Sequence, residues 1–289
     1  MSVRQRRRRV GFYYQTFTNK DFGLLQSLDP SEVTDLYLAA AHFNNAQAPY
    51  LLHLNDYPPE HFEDFLTAVA RLPMGIRVHL MLGGAGGGLA PLCRDPEACL
   101  PLLQRFLVNN PRITGLNLDI EESGILENDV EALVFRLARA YPGYEIAMAP
   151  IASCRRPPSP TTTSWKTVDE FDLAVFSATD AARHVRTYCV QMYGDLSPEA
   201  LNQFLKTYPS IRADQIVAGT ISGEFGADPH RMADAYTELL LGWPQVQGIV
   251  NWELYDAPQG WAAAAAACPL LFREAYEPLG MMSALCPLF

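Results

Sequence analysis

The residues best suited to chemistry are two carboxylates, Asp119 and Glu121, near the end of a short β-like run at 113–122. Strand side chains point alternately to two faces, so both share a face with Asn117, while Leu116, Leu118 and Ile120 occupy the other. Two carboxyls at this spacing interact, which separates their proton affinities and leaves one protonated near neutral pH. A protonated Glu121 would serve as a general acid. An ordinary strand with a polar end is the alternative interpretation.

Short β-rich runs alternate with helical patterns along the whole chain, which indicates a parallel sheet. We predict eight strands, at 10–17, 35–43, 76–82, 115–121, 144–151, 188–193, 216–221 and 248–253. Helices are predicted at 61–72, at 128–140 and after Ser197, which is placed to cap a helix beginning at Pro198. Eight such units indicate an α/β fold, a single (β/α)8 TIM barrel, whose catalytic groups lie at the carboxyl ends of the strands.

Two stretches are harder to assign within the eight predicted strand–helix units. A ninth strand-like run at 171–177 either lies beside the barrel or replaces one of the eight strands. The stretch 153–163 is rich in Arg, Pro, Ser and Thr and is predicted to be a loop. We expect a basic N-terminal tail at 1–9 and one barrel domain at 10–289.

The run that carries the two carboxylates resembles the fourth strand of glycoside hydrolase family 18, which reads D-G-x-D-x-D-x-E. Here the pattern is Thr114-Gly115-Leu116-Asn117-Leu118-Asp119-Ile120-Glu121, so the last two acidic positions match and the first two do not. The resemblance implies that Glu121 protonates the glycosidic oxygen. It implies that Asp119 orients the substrate acetamido group, whose carbonyl oxygen attacks the anomeric carbon. No metal or cofactor is implied.

The third strand is also similar to this family. Its end reads Met81-Leu82-Gly83-Gly84, which resembles S-x-G-G with Met81 where Ser is common, and the resemblance places Gly83 and Gly84 beside the substrate. A phosphate-binding loop is the alternative for this glycine-rich run, but the Lys-Ser/Thr of a P-loop does not come after it.

Two further strand ends complete the likeness. Gln191-Met192-Tyr193 resembles the signature Q-x-Y, which implies that Tyr193 bonds the acetamido carbonyl and Gln191 lines the sugar pocket; the next two residues, Gly194 and Asp195, depart from the family pattern. The run 248–252 resembles G-x-x-x-W, which implies that Trp252 forms the floor of the cleaved sugar's subsite by stacking on the ring. Both Tyr193 and Trp252 would otherwise be interpreted as core residues.

Other polar and aromatic residues at strand ends are candidate pocket residues. Asn117 and Tyr13 are predicted to bind substrate, and Phe43 and Glu224 are weaker candidates. The combined interpretation is a retaining glycosidase that acts on β-1,4-linked N-acetylglucosamine. The alternative is a glycan-binding or structural barrel without activity, which the departures at Thr114, Asn117 and Met81 favour.

The charge is unevenly distributed along the chain. A net charge of −10 argues against a general nucleic-acid binder, which needs a basic face. Five arginines lie in the first nine residues, namely Arg4, Arg6, Arg7, Arg8 and Arg9, and the rest of the chain carries −15. This tail is a solvated arm, a nuclear-localisation patch or an anchor for an acidic protein or surface.

The sequence also bears on compartment and on cysteine chemistry. No run approaches the roughly 20 apolar residues of a membrane helix, and a secretory signal is not visible, so we expect an intracellular protein, cytoplasmic, nuclear or part of an assembled particle. The six cysteines form no CxxC pair, which argues against a metal cluster. Free thiols are the default, and a disulfide between Cys93 and Cys99 is the alternative.

Overall fold

The computed structural model describes residues 8–15, 22–44, 47–55, 57–84, 88–122, 124–150 and 171–268. The predicted loop at 153–163 and the arginines Arg4, Arg6 and Arg7 lie outside these residues.

Eight parallel strands close into a barrel, which confirms the predicted (β/α)8 fold. The strands in this part of the chain are β1 (Arg9–Tyr14), β2 (Asp35–Asn44), β3 (Leu51–Leu54), β4 (Arg77–Gly83), β5 (Ile113–Asp119), β6 (Glu145–Met148), β7 (Val185–Gln191), β8 (Ile216–Ile221) and β9 (Gly248–Trp252). Sheet order is β1-β9-β8-β7-β6-β5-β4-β2-β3, and β1 also pairs with β2. The eight barrel strands are the eight predicted, with ends shifted by a few residues.

Helices cover the outside of the barrel. They are α1 (Gly23–Gln26), α2 (Glu63–Ala70), α3 (Ala90–Arg94), α4 (Pro96–Asn109), α5 (Glu127–Ala140), α6 (Leu173–Ser177), α7 (Pro198–Thr207), α8 (Pro229–Gly242) and α9 (Trp261–Ala267), with short 3-10 helices at Pro59–Phe62, Ala181–His184 and Ala213–Gln215. Ser197 caps α7 as predicted, since its hydroxyl accepts from the backbone N–H of Ala200 at 3.1 Å. None of the described helices is both long and apolar enough to cross a membrane.

One local prediction is wrong, and one strand was missed. The strand-like run at 171–177 forms α6, because the Asp172 carboxylate accepts from the N–H groups of Ala174 and Val175 and because Leu173 and Phe176 share the buried face. The short strand β3 was not predicted; it pairs antiparallel with the end of β2 and lies outside the barrel.

The barrel has two apolar layers that alternate along each strand. Leu116, Leu118 and Ile120 belong to the layer between strands and helices, as predicted. The lumen holds a second, smaller cluster, formed by Tyr13, Tyr37, Ala39, Ala40, Met81, Ala149, Cys189, Val217 and Val250. The predicted inward direction of Asn117 and Asp119 follows from this alternation.

The amino-terminal end of the lumen is closed by an ion network. The Arg9 guanidinium lies 2.6 Å from Glu145, Arg77 lies 2.7 Å from Asp35, and His79 Nε2 lies 3.0 Å from Asp35. Burial by itself raises the pKa of Asp35, but the His79 hydrogen bond and the charges of Arg77 and Arg9 outweigh it and hold that pKa well below its usual range. This end of a barrel is where stability rather than chemistry is concentrated.

Arg8 and Arg9 belong to the barrel and not to a solvated tail. Arg9 is the first residue of β1, and Arg8 is 7% exposed. The Arg8 guanidinium donates to the backbone oxygen of Pro244 at 2.9 Å and lies 3.5 Å from that of Val246. The tail interpretation therefore applies only to the residues ahead of Arg8.

The described cysteines are free thiols. Cys93, Cys99, Cys189 and Cys268 form no disulfide, so the default expectation holds for Cys93 and Cys99. Burial raises the pKa of the Cys93 and Cys99 thiols to about 12, which keeps them protonated at neutral pH.

Candidate active site

The two predicted carboxylates lie at the carboxyl end of β5. Asp119 is the last residue of the strand and is 4% exposed, while Glu121 follows it and is half-buried. Asn117 lies one layer deeper and is fully buried. Thr114 lies at the opposite end of β5 and is exposed, about 16 Å along the strand from Asp119. Its departure from the family pattern therefore does not touch the reacting groups.

Asp119 and Glu121 form a coupled pair. Their carboxyl groups lie close enough to interact, and burial together with the Glu121 charge raises the pKa of Asp119 well above its usual range. The expectation that one group stays protonated near neutral pH is thus met by the deeper carboxyl. The raised proton affinity was expected at Glu121 and lies instead at Asp119, because Asp119 is the more completely buried of the two.

Gln191, at the end of β7, bridges the pair. Its side-chain amide nitrogen lies 3.2 Å from Asp119 Oδ1, 3.0 Å from Glu121 Oε1 and 3.3 Å from the Ala149 backbone oxygen. These donor contacts fix both carboxylates relative to the neighbouring strands. Gln191 therefore lies beside the carboxyl pair, and its predicted contact with a sugar stays a prediction.

Tyr193 lies two residues beyond Gln191, on the side of the carboxyl pair. Burial raises its pKa well above the usual range, and the charges of Asp119 and Glu121 add to this effect. The phenol therefore stays protonated and can donate a hydrogen bond. Tyr193 thus lies close enough to Asp119 and Glu121 for their charges to affect it, whereas its predicted bond to an acetamido carbonyl stays a prediction.

Gly83 and Gly84 allow β4 to approach Asp119. Their φ angles are +90° and +101°, a region that favours glycine. A Cβ atom on Gly83 would overlap the backbone oxygen of Asp119, and one on Gly84 would lie 3.5 Å from Asp119 Oδ2. The Gly84 N–H donates to the Asp119 backbone oxygen at 2.9 Å. Both glycines thus position Asp119, and direct contact with substrate stays a prediction.

An aromatic stack fills the lumen below the site. Tyr13 stacks on Tyr37 with ring centroids 4.8 Å apart and meets the tilted Trp252 ring at 5.2 Å. Trp252, at the end of β9, is the half-exposed member, so it is the ring available to a ligand. Tyr13 is 4% exposed, and its hydroxyl donates to Asn117 Oδ1 at 3.3 Å. It therefore supports Trp252 and Asn117 from below.

Phe43 is not a pocket residue. An extra residue in β2 between Leu38 and Ala41 shifts the register against β4, so the side chains beyond it exchange faces. Phe43 consequently packs in the outer layer between strands and helices. The sequence gives no separate signal for this irregularity in a run of nine buried residues.

Several polar residues that hold the rim were missed or undervalued by sequence reasoning. Glu122 accepts from the backbone N–H groups of Leu89 and Ala90, which fixes the chain just after Glu121. Glu253 accepts from Gln15 N at 2.6 Å. Glu224 is half-buried and accepts from Gly194 N at 2.9 Å. Carboxylates that bind backbone N–H groups across loops have no sequence period, so a pattern could not reveal them.

The described part of the chain contains no evident metal-binding site. No group of three or more His, Cys, Asp or Glu side chains in these ranges is arranged to hold a metal ion.

The fold resembles solved glycoside hydrolases over nearly the whole chain. A fungal endo-β-N-acetylglucosaminidase of glycoside hydrolase family 18 matches with a TM-score of 0.72 and 20% identity, over 91% of this chain and 98% of that one. A chitinase from Aspergillus fumigatus matches with a TM-score of 0.67 and 24% identity, over 89% and 97%. A family 18 chitinase from Cycas revoluta, solved in complex with (GlcNAc)3, gives 0.63 and 15%, over 89% and 98%.

Neither a protein-family model nor a curated protein matches the sequence. At these identities the likeness concerns the fold. The chain has the barrel fold of the family 18 chitinases and endo-β-N-acetylglucosaminidases, as the motifs predicted.

Proposed function

We propose that the protein is a retaining glycoside hydrolase that cleaves β-1,4-linked N-acetylglucosamine in chitin or chitooligosaccharides. The observation that carries the proposal is the Asp119–Glu121 carboxyl pair at the carboxyl end of β5, bridged by Gln191. The family 18 barrel fold supports it, as does the neutral Tyr193 phenol beside the pair.

The first chemical step uses the substrate's own acetamido group as nucleophile. Its carbonyl oxygen forms a bond to the anomeric carbon while the bond from that carbon to the glycosidic oxygen breaks. The proton that Asp119 holds at rest passes to Glu121, which gives it to the leaving oxygen and leaves Asp119 as a carboxylate. Glu121 has this role because it is the half-exposed member of the pair. Asp119 and Tyr193 hold the acetamido group, and Asp119 stabilises the positive charge that forms on it.

The second step returns the enzyme to its starting state. Water attacks the anomeric carbon from the face that the leaving group vacated, and the bond from that carbon to the acetamido oxygen breaks. The Glu121 carboxylate takes a proton from this water, and the proton then returns to Asp119. Two inversions retain the anomeric configuration. Trp252 supports the sugar ring through its exposed face.

A change at the proposed acid tests this mechanism directly. Glu121→Gln keeps the size of the side chain and removes the transferable proton, so we expect turnover of a chromogenic chitobioside or chitotrioside to fall by about 10³-fold or more between pH 4 and 8. The melting temperature should stay close to that of the parent protein. Glu238→Gln, at an exposed position on the outer helix α8, is the matched control and should retain full activity. Parent-like turnover by Glu121→Gln would refute the mechanism.

A glycan-binding barrel without turnover is the second candidate. It is favoured by Asn117, which places an amide where the family pattern has a third carboxylate, and whose buried Nδ2 has no hydrogen-bond partner among the described residues. Met81, directly beside Asn117 in the β4–β5 pairing, adds to this. Binding of chitotriose without any release of the chromophore would select this candidate over the enzyme.

A further inference from the structure

Glu224 connects the ends of two neighbouring barrel strands through its carboxylate. Oε1 accepts from the backbone N–H of Gly194, just beyond β7, at 2.9 Å, and Oε2 accepts from that of Ile221, the last residue of β8, at 3.3 Å. Each of the two oxygens thus has a backbone donor on a different strand end. Hydrogen bonds to a charged acceptor are stronger than neutral ones, so this is a firm connection for a loop.

Tyr193 lies between two backbone positions, Met192 and Gly194, that are hydrogen-bonded to β8 or to the loop after it. On one side, the Met192 N–H donates to the Gly219 backbone oxygen of β8 at 3.0 Å. On the other side, Gly194 has φ +80° and gives its N–H to Glu224. The backbone on both sides of Tyr193 is therefore attached to β8, and Glu224 supplies the second of the two attachments.

Glu224 is itself well enough buried to need these partners. Burial raises the pKa of Glu224, the two backbone N–H groups oppose that rise, and the neighbouring Asp195 charge reinforces it. Its charge is close enough to Tyr193 to contribute to the raised pKa of that phenol, although burial and the charges of Asp119 and Glu121 contribute more. The carboxylate thus lies beside the site and is directed at backbone rather than into the cleft.

We infer that Glu224 is a positioning residue, which acts through Gly194 to hold the Tyr193 hydroxyl toward the Asp119–Glu121 pair. The inference rests on the proposed function and assigns a task to a carboxylate that takes no part in the proton transfers. Errors of about 1 Å in the placement of a reacting group can cost up to 10²-fold in rate, so a backbone attachment next to Tyr193 is expected to affect kcat.

Two variants change the attachment to different degrees. Glu224→Gln keeps one acceptor oxygen and turns the other into an amide NH2, which cannot accept from a backbone N–H, so one of the two bonds is lost. Glu224→Ala loses both. Asp228→Ala is the matched control, because it also removes a carboxylate that accepts from a backbone N–H in the same loop, that of His230 at 2.9 Å, without any link to Tyr193.

The decisive measurement is a double-mutant cycle with Tyr193→Phe on a chitotrioside substrate. We expect Glu224→Ala to lower kcat by about tenfold with little change in KM, Glu224→Gln to lower it by less, and Asp228→Ala to leave it unchanged. In the Tyr193→Phe background, Glu224→Ala should lower kcat no further, because its effect passes through the missing hydroxyl. An equal additional loss in that background, or loss of melting temperature with kcat retained, would show a purely structural role and overturn the inference.

Amide hydrogen exchange separates this inference from the proposed function. Exchange in a peptide spanning 190–197 should accelerate in Glu224→Ala and not in Asp228→Ala, whether or not the protein hydrolyses chitin. If the parent protein shows no turnover and this difference is present, the proposed function fails while the attachment stands. If exchange at 190–197 is unchanged, the inference fails even when hydrolysis is observed.

Discussion

Asp119 is a carboxyl that the fold encloses almost completely, and the carboxyl of Glu121 lies close enough to interact with it. Its raised pKa means that the folded chain binds this proton more tightly than the unfolded chain does. The stabilisation linked to the proton is complete below the ordinary pKa of the unfolded carboxyl, near 4, and decreases as pH rises above it. Under the proposed mechanism, Asp119 is therefore a residue at which catalysis and stability oppose each other.

Asp119→Asn tests this opposition. The amide resembles a protonated carboxyl and carries no charge, so we expect the melting temperature to rise by about 2–4 °C at pH 8 and to stay unchanged at pH 4. Turnover should fall by about 10²-fold, because the acetamido group loses a charged partner in the transition state. Calorimetry at the two pH values and a chitotrioside assay measure both effects.

Asp234→Asn, at an exposed position on α8, is the control for this prediction and should change neither quantity. A lower melting temperature for Asp119→Asn at pH 8 would contradict the assignment of the proton to Asp119.

At the scale of elements, the strand ends of the site were predictable because each presents polar or aromatic residues in a period of two. That period identified Asp119, whereas Gln191 and Trp252 were predicted from their resemblance to the family 18 signatures. The positions that were predicted wrongly depend on features that leave no periodic pattern in the sequence. One inserted residue in β2 turned Phe43 outward, and the cap at Asp172 changed a strand-like run into a helix. Packing and capping outweighed local propensity at both places.

Gly84, just after β4, and Gly260, far from the carboxyl pair, both have positive φ angles. Comparing substitutions at the two positions separates the effect of backbone strain from an effect on the candidate site. Gly84→Ala and Gly260→Ala each place a side chain at positive φ, which costs roughly 1–2 kcal/mol. Gly260 lies just before α9, and a Cβ there would meet no atom closer than 4.0 Å. We expect similar losses in the free energy of unfolding from the two variants.

Turnover, by contrast, should fall several-fold only in Gly84→Ala, since its new Cβ would lie 2.6 Å from the Met81 methyl and 3.5 Å from Asp119 Oδ2. Denaturant titration and the chitotrioside assay provide the two measurements. Equal turnover in both variants would show that the close approach of β4 to Asp119 is without consequence for catalysis.

Considered as a whole, the molecule separates its ionic stabilisation from its chemistry. The network of Arg9, Asp35, Arg77, His79 and Glu145 lies at the amino-terminal ends of the strands, and the carboxyl pair lies at the opposite ends. The sequence offered no sign that Arg9 belonged to the barrel, because five closely spaced arginines are typical of a tail.

Glu145→Gln tests the network. Burial raises the pKa of Glu145, but the hydrogen bond and charge of Arg9, with His79 and Arg77, outweigh it and lower the pKa to about 2. A lowered pKa contributes stability above the ordinary value near 4.3, and this contribution is lost as pH falls toward 2. The variant should lose about 3 kcal/mol at pH 7 and depend less on pH between 4.5 and 2.

Urea unfolding at several pH values, with Glu238→Gln as the exposed control, provides the measurement. Below the melting transition, turnover per folded molecule should match that of the parent protein. If the free energy of unfolding fell equally in Glu145→Gln and in the parent protein between pH 4.5 and 2, Glu145 would not contribute to the loss of stability in acid.

The attachment of Arg8 to the backbone of Pro244 and Val246 also determines how the protein can be presented on a solid support. Chain ahead of Arg8 starts from the amino-terminal ends of the strands, whereas Glu121 and Trp252 lie at their carboxyl ends. A bead, an electrode or a fused fluorescent protein attached through the chain ahead of Arg8 would therefore be joined to the barrel at the end opposite its mouth. The barrel itself then separates the support from the carboxyl ends of the strands.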